Sequence, residues 1–328
     1  MKVLLVIQHR LELWQVPAWF LQRLGQQFAA LEIVHRDSYD DIESQIRDAE
    51  VLFTLSLRPE QFAHAQQLRW IHSPAAAVHQ LLFPELARSE VILTNSRDVH
   101  GPVVAEHVMA LILALARRIP QAVRFQQQRV WGQESIWQGP PHPREIAAAT
   151  LGLIGLGSIG RAVAKHASAL GMRVIAVREN PEKPAPPGVE QVFASQYLDL
   201  LLQQSDYVLL APPLTPQTRG MIGAAQLARM KPEACLINVG RGPLIDEAAL
   251  LAALRDHKIG GAALDVFNEE PLPAGSPLWD LDNLLITPHT AGMTAKLWER
   301  HYALFSENLR RYLNGEPLLA MVDKSKGY

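Results

Sequence analysis

The sequence predicts an α/β protein made of two doubly wound parallel-sheet domains, and three observations carry that prediction. At 328 residues the chain is long for one core and suits two domains. Short apolar runs alternate with helical patterns along nearly its whole length, the rhythm of strand–helix units. One of those runs, with Leu151, Leu153 and Ile154, ends in Gly155-Leu156-Gly157-Ser158-Ile159-Gly160 and leads into an Ala-rich helical pattern. Strand, tight glycine turn and helix start in that order mark a Rossmann-type domain, and the smaller domain then reads as flavodoxin-like.

Taken in order, residues 3–7, 51–55, 68–72 and 91–94 are strand candidates, with helices expected over 19–28 and 59–67. A polar break at 95–102 precedes a long helical segment, 103–118, that stops before Pro120. Residues 121–149 carry Trp131, Trp137 and the turn-rich Gly139-Pro140-Pro141-His142-Pro143, a poor core element. That stretch is expected to pack on a partner subunit. Strands then follow at βα spacing over 151–154, 172–177, 207–210, 235–239, 261–266 and 284–287. The helix over 161–170 is closed by Gly171, and the Pro-rich 181–188 reads as a loop. Residues 294–313 show helical periodicity (Leu297, Tyr302, Leu304, Phe305, Leu309) and are expected to return to the first domain. The expected division is 1–98 with 293–328 as one domain and 99–292 as the other.

The composition excludes several classes. A formal net charge of −2 leaves no electrostatic footprint for nucleic acid or an anionic membrane. The one cysteine, Cys235, rules out a disulfide framework and a cysteine-rich metal site, and its apolar surroundings read as core. The opening MKVLLVIQH is too short for a signal sequence, and no apolar run reaches membrane-spanning length. A soluble, cytoplasmic protein is the default expectation.

The chemistry begins at the glycines. Gly155 permits the sharp turn, Gly157 lets backbone approach a pyrophosphate, and Gly160 lets the helix pack on its strand. The diphosphate of a dinucleotide would rest on the N–H groups of Ser158 and Ile159 at the helix start. About 20 residues beyond such glycines an acidic residue normally grips the ribose 2′-hydroxyl of NAD. Here the strand ends in Arg178, followed by Glu179. A guanidinium suits a 2′-phosphate, which favours NADP over NAD, although a solvated Arg178 would leave the choice open. Further on, Arg241 stands in a Gly-flanked loop after a strand, where it suits a substrate carboxylate. Asp265, Glu269, Glu270 and His289 also follow strands of that sheet, so an acid–base and anion-binding centre is expected at its cofactor edge.

These motifs together resemble the D-isomer-specific 2-hydroxyacid dehydrogenase family, which includes glyoxylate/hydroxypyruvate reductases. The resemblance rests on LGLIGLGSIG, PPLTPQT (212–218), INVGRGPLIDE (237–247), ALDVFNEEPLP (263–273) and LLITPHTAG (284–292). It implies NAD(P)H-dependent reduction of a small 2-oxo acid to a D-2-hydroxy acid. By the same resemblance, Arg241 binds the acid and His289 is the general acid. Glu270, rather than Glu269, holds His289 protonated. Asp265 meets the nicotinamide end of the cofactor, which Arg241 and His289 also contact, and Pro212, Val239 and Gly292 line its cleft. The chemistry agrees, since hydride addition to a carbonyl needs a proton donor and a cation to orient the acid.

The family's first domain usually adds backbone N–H groups around a glycine for the carboxylate. Here the stretch is His72-Ser73-Pro74-Ala75-Ala76-Ala77-Val78, so Ala76 and Ala77 are the candidates, with Ala77 in the glycine's place. Arg58 reads as solvated, and Ala105-Glu106-His107 as hinge packing. A homodimer is implied, as is closure of the two domains over the substrate. Two other readings share the fold: a dinucleotide-sensing co-repressor and a phosphoglycerate-type dehydrogenase.

Overall fold

Two parallel sheets organise the chain. The structure is a computed structural model that describes residues 1–327. The first part contributes β1 (Lys2–Val6), α1 (Ala18–Gln27), β2 (Glu32–Arg36), α2 (Glu43–Ile46), β3 (Val51–Thr54), α3 (Pro59–Ala63), β4 (Trp70–His72), α4 (Pro84–Arg88) and β5 (Ile92–Thr94). Then come α5 (Gly101–Ala116), α6 (Ile119–Gln128), α7 (Gln133–Gln138), β6 (Thr150–Ile154), α8 (Ser158–Ala169), β7 (Arg173–Arg178), β8 (Gln191–Ala194), α9 (Leu198–Gln204) and β9 (Tyr207–Leu210). The rest is α10 (Ala224–Leu227), β10 (Cys235–Asn238), α11 (Glu247–Arg255), β11 (Gly261–Leu264), β12 (Leu284–Ile286) and α12 (Leu297–Leu313).

The chain divides into two compact units, Gly101–Gly292 and a second made of Met1–His100 with the segment from Met293 on. The latter holds a five-stranded sheet in the order β2-β1-β3-β4-β5, a flavodoxin-like arrangement. Alternate residues of β1 serve opposite faces. Val3 and Leu5 pack with Phe20 and Leu24 of α1 and Phe305 and Leu309 of α12, while Leu4 and Val6 pack with Ile46 and Leu86. Trp298, Tyr302, Phe305 and Leu309 form one stripe of α12, and that spacing brings the C-terminal helix onto this sheet. The chain after α12 then runs beside β5: Val322 N–H donates to Leu93 O at 2.8 Å and Asn95 N–H to Ala320 O at 3.1 Å.

The unit Gly101–Gly292 holds a seven-stranded sheet in the order β12-β11-β10-β9-β6-β7-β8. Every pairing in it is parallel, and the order reverses between β6 and β9, the switch point of a Rossmann-type sheet. Leu151 and Leu153 pack with Val108 and Ile112 of α5 and Val163 of α8; Val208 and Leu236 pack with Leu201 of α9 and Leu250 of α11. Because both faces are covered, the central strands are continuous apolar runs. Among the described residues no helix is long and apolar enough to cross a membrane.

Some expected elements differ. The larger sheet has seven strands where six were expected, the addition being β8 at its edge; β2 is likewise an unexpected edge strand. The helix expected over 59–67 ends at Ala63, because the Gln66 and Gln67 N–H groups turn to Arg47 O at 3.1 and 3.2 Å. The helix after the glycines begins at Ser158, three residues before the expected 161–170. Within 121–149 lie most of α6 and all of α7, with Trp131 and Trp137 90% and 63% exposed. Cys235 is buried, as its surroundings suggest.

Candidate active site

The C-terminal ends of β6, β7, β9, β10, β11 and β12 carry the predicted residues of the larger sheet. After β6 the backbone turns at Gly155, whose φ is +95°, a conformation that favours glycine. A Cβ at Gly155 would also lie 2.8 Å from the Ala211 carbonyl, so this turn sits directly against the end of β9 and Pro212. A Cβ at Gly160 would lie 2.4 Å from Gly155 O, which ties α8 close to the turn. Gly157 is the N-cap of α8 with no side-chain cap, and the space around its Cα is open. A helix of this length therefore presents its N-terminal dipole and backbone N–H groups, from Ser158 and Ile159 on, toward an open cradle. These residues fit the diphosphate of a dinucleotide.

At the end of β7, Arg178 Nη2 donates to Lys183 O and, at 3.2 Å, to Pro184 O. Its Nε is buried and has no partner among the described residues. Val239, buried at the end of β10, precedes the loop of Gly240 and Arg241. Arg241 Nη1 donates to Gly240 O at 2.6 Å. Burial pulls its guanidinium below the ordinary arginine value, and the charge of Glu270 partly offsets that pull.

Glu270 and His289 meet. Glu270 Oε2 lies 2.6 Å from His289 Nδ1, and Glu270 Oε1 accepts the Phe267 N–H at 2.9 Å. His289 has a φ of +52°, uncommon for a side-chain-bearing residue, and its N–H donates to Asp265 O at 2.9 Å. The buried Asp265 carboxylate gathers the rest of that turn: it accepts Thr287 Oγ1–H at 2.6 Å, Thr290 N–H at 2.9 Å and Ala291 N–H at 3.0 Å. Gly292 follows at once, so Arg241, Asp265, Glu270, His289 and Gly292 all belong to loops on one sheet edge. Chemically this supplies a cation for an anion, and an imidazole held on one nitrogen by a carboxylate and half exposed, a group that can give or take a proton.

His107, expected to serve hinge packing, reaches this edge as well: its Nε2 lies 3.1 Å from Thr287 Oγ1. Its position after Ala105-Glu106 carried no sign of that contact, because Thr287 is remote in sequence. Ala76 and Ala77 lie in the other unit, in the turn after β4, where Asn95 Nδ2 donates to Ala76 O at 2.7 Å. Neither alanine has a positive φ, so the loop takes alanine in place of glycine without backbone strain. Arg58 is exposed at the start of α3.

Comparison with known proteins agrees with this geometry. Residues 109–291 match the NAD binding domain of the D-isomer specific 2-hydroxyacid dehydrogenases. A glyoxylate reductase of Korarchaeum cryptofilum is 36% identical over 287 residues, covering 84% of this chain and 83% of its own. A D-isomer specific 2-hydroxyacid dehydrogenase family protein from Aeromonas salmonicida superposes with a TM-score of 0.83 at 34% identity, covering 98% of this chain and 99% of the other. A D-isomer specific 2-hydroxyacid dehydrogenase from Xanthobacter autotrophicus Py2, solved with NADPH and MES, gives a TM-score of 0.83 at 32% identity, with 99% of each chain covered. Glycine cradle, sheet order and these matches agree that this is an NAD(P)-dependent enzyme of 2-hydroxy and 2-oxo acids, and the chain belongs to the D-isomer specific 2-hydroxyacid dehydrogenase family.

Proposed function

We propose that the enzyme reduces glyoxylate or hydroxypyruvate, with NADPH preferred over NADH, and that Arg241, Glu270 and His289 are its catalytic residues. The observation that carries the site assignment is the Glu270–His289 contact of 2.6 Å, on the sheet edge that holds Arg241. A small acid is favoured because a glyoxylate reductase is 36% identical over most of the chain. NADPH is favoured because Arg178, at the end of β7, commits only Nη2 of its guanidinium to the carbonyls of Lys183 and Pro184, and because the similar Xanthobacter enzyme was solved with NADPH.

In this reading Arg241 takes the substrate carboxylate and the keto oxygen, and its buried setting strengthens both contacts. Glu270 fixes the ring of His289 through Nδ1 and stabilises the imidazolium, which leaves Nε2–H to face the keto oxygen. Bound reduced nicotinamide supplies the hydride that adds to the keto carbon. As the C=O π bond breaks, the forming alkoxide takes the Nε2 proton of His289, giving the 2-hydroxy acid and a neutral imidazole. The cofactor is assigned to the unit Gly101–Gly292, held by Gly155, Gly157, Ser158, Ile159, Gly160, Arg178, Pro212, Val239, Asp265 and Gly292. Backbone N–H groups of Ala76 and Ala77 are assigned to the substrate carboxylate. A cytoplasmic homodimer completes the reading, with Trp131 and Trp137 covered by the partner subunit.

The test is side-by-side oxidation of NADPH and NADH against glyoxylate, hydroxypyruvate, pyruvate and phenylpyruvate. Turnover should be fastest with glyoxylate or hydroxypyruvate and with NADPH. Faster turnover of phenylpyruvate would overturn the small-acid assignment, and a preference for NADH would overturn that of NADPH.

A further inference from the structure

Asp265 organises the turn that presents His289, and the structure shows a second layer behind it. Thr287 gives its hydroxyl proton to Asp265 Oδ1 at 2.6 Å. Its oxygen therefore faces His107 Nε2, 3.1 Å away, as an acceptor, and Nε2 must carry the hydrogen. The same Nε2 lies 3.7 Å from Oδ1 of that buried carboxylate. His107 stands on α5, so this chain of bonds anchors the β11 and β12 ends to a helix buried along the sheet.

We propose that His107 is a positioning residue of the reduction: through Thr287 and Asp265 it fixes the turn that aims His289 at the keto oxygen. The assignment rests on the reading of His289 as the proton donor. Four groups depend on the same carboxylate or its own carbonyl, namely the Thr287 hydroxyl and the N–H groups of His289, Thr290 and Ala291. His289 holds its positive φ while two of those bonds flank it. Losing the His107–Thr287 bond loosens Thr287 on Asp265 and frees the turn to relax, and a proton donor displaced by a fraction of an ångström is a slower one.

Pure packing by His107 would be satisfied by a ring of similar volume; a hydrogen bond would not. His107→Phe keeps the ring and removes Nε2–H, whereas His107→Gln places an amide N–H near the same point. The measurements are kcat, the Kd of reduced cofactor, and hydrogen exchange of the Thr290 and Ala291 amides in the whole protein. His107→Phe should lower kcat tenfold or more and speed that exchange tenfold or more, with a smaller rise in the cofactor Kd, since the glycine turn after β6 is untouched. His107→Gln should restore both kcat and exchange to within about threefold. The proposal is overturned if His107→Phe leaves kcat and exchange within twofold, or if Gln fails as badly as Phe. If His107→Phe does not fold, His107→Asn, one methylene too short for Thr287, replaces it with the same expected losses. If wild-type protein reduces none of the acids, the activity reading falls, and amide exchange alone still decides whether His107 holds the turn.

Discussion

Glu270 commits one nitrogen of His289 and is itself held in place: Oε2 is 2.6 Å from Nδ1, while the Phe267 N–H fixes Oε1 at 2.9 Å. The ring is therefore oriented by a carboxylate that cannot swing freely. His289→Ala should lower kcat roughly 10²–10⁴-fold, the usual worth of a positioned general acid. Its Kd for reduced cofactor, measured by fluorescence titration, should stay within a few-fold. Glu270→Gln keeps a hydrogen-bonding side chain but removes the charge, so kcat should fall by a smaller factor. Unchanged kcat in His289→Ala would take it out of the proton-donor role.

Arg178 is the test of cofactor choice. Its Nη2 already holds the loop after β7 through Lys183 O and Pro184 O, and Nη1, which makes no hydrogen bond among the described residues, is the part left to bind an anion. A charge-assisted hydrogen bond is worth about 1.5–3 kcal/mol, so Arg178→Asp should shift the NADPH/NADH ratio of kcat/KM toward NADH by roughly tenfold or more. An unmoved ratio would remove Arg178 from contact with a 2′-phosphate.

Gly160 has no room for a side chain. A Cβ there would stand 2.4 Å from Gly155 O, closer than backbone can yield without shifting α8 off the turn. Gly160→Ala should cost about 1–3 kcal/mol of stability in thermal unfolding, as overpacking does, and weaken cofactor binding in parallel. Gly157→Ala is the contrast: the space there is open in the structure, so it should melt close to wild type and lose affinity for the dinucleotide. Equal melting losses in both would contradict the cradle geometry.

What was legible in the sequence follows from how each element is buried. Strands covered on both faces are unbroken apolar runs, and residues 207–210 read as a strand and form β9 with the same bounds. The two strands not expected, β2 and β8, are sheet edges with polar or half-exposed residues, so no apolar run marks them. Arg241, Glu270 and His289 could be picked out because each follows a strand of one sheet. Spacing alone could not separate Glu269 from Glu270, and in the structure Glu270 is the one that reaches the ring. His107 and Thr287 stand 180 positions apart, and only the fold brings them together.

Two buried histidines, His72 and His301, should make the smaller sheet's unit sensitive to acid. His72 is held neutral between Thr94 Oγ1, 2.8 Å from Nδ1, and Ser96 Oγ, 3.2 Å from Nε2. Burial pushes His72 down to about 3. His301 on α12 is fully buried with neither ring nitrogen hydrogen-bonded, beside His100 at a ring separation of 5.8 Å; burial first, then repulsion from His100, holds it well below the ordinary histidine value. Unfolded histidines titrate near 6.5, so in both cases the unfolded chain takes up the proton first. Their contribution to stability is complete above that pH and is lost as pH falls below it, at about 1.4 kcal/mol per pH unit for each ring until its folded-state value is reached. Unfolding midpoints in urea should therefore drop steeply from pH 6.5 downward. His301→Leu removes one of the two protons and a buried, unbonded polar ring, so its midpoint should be no lower than wild type at neutral pH and fall less steeply in acid. A variant as acid-sensitive as wild type would show that His301 is not one of the groups that titrate.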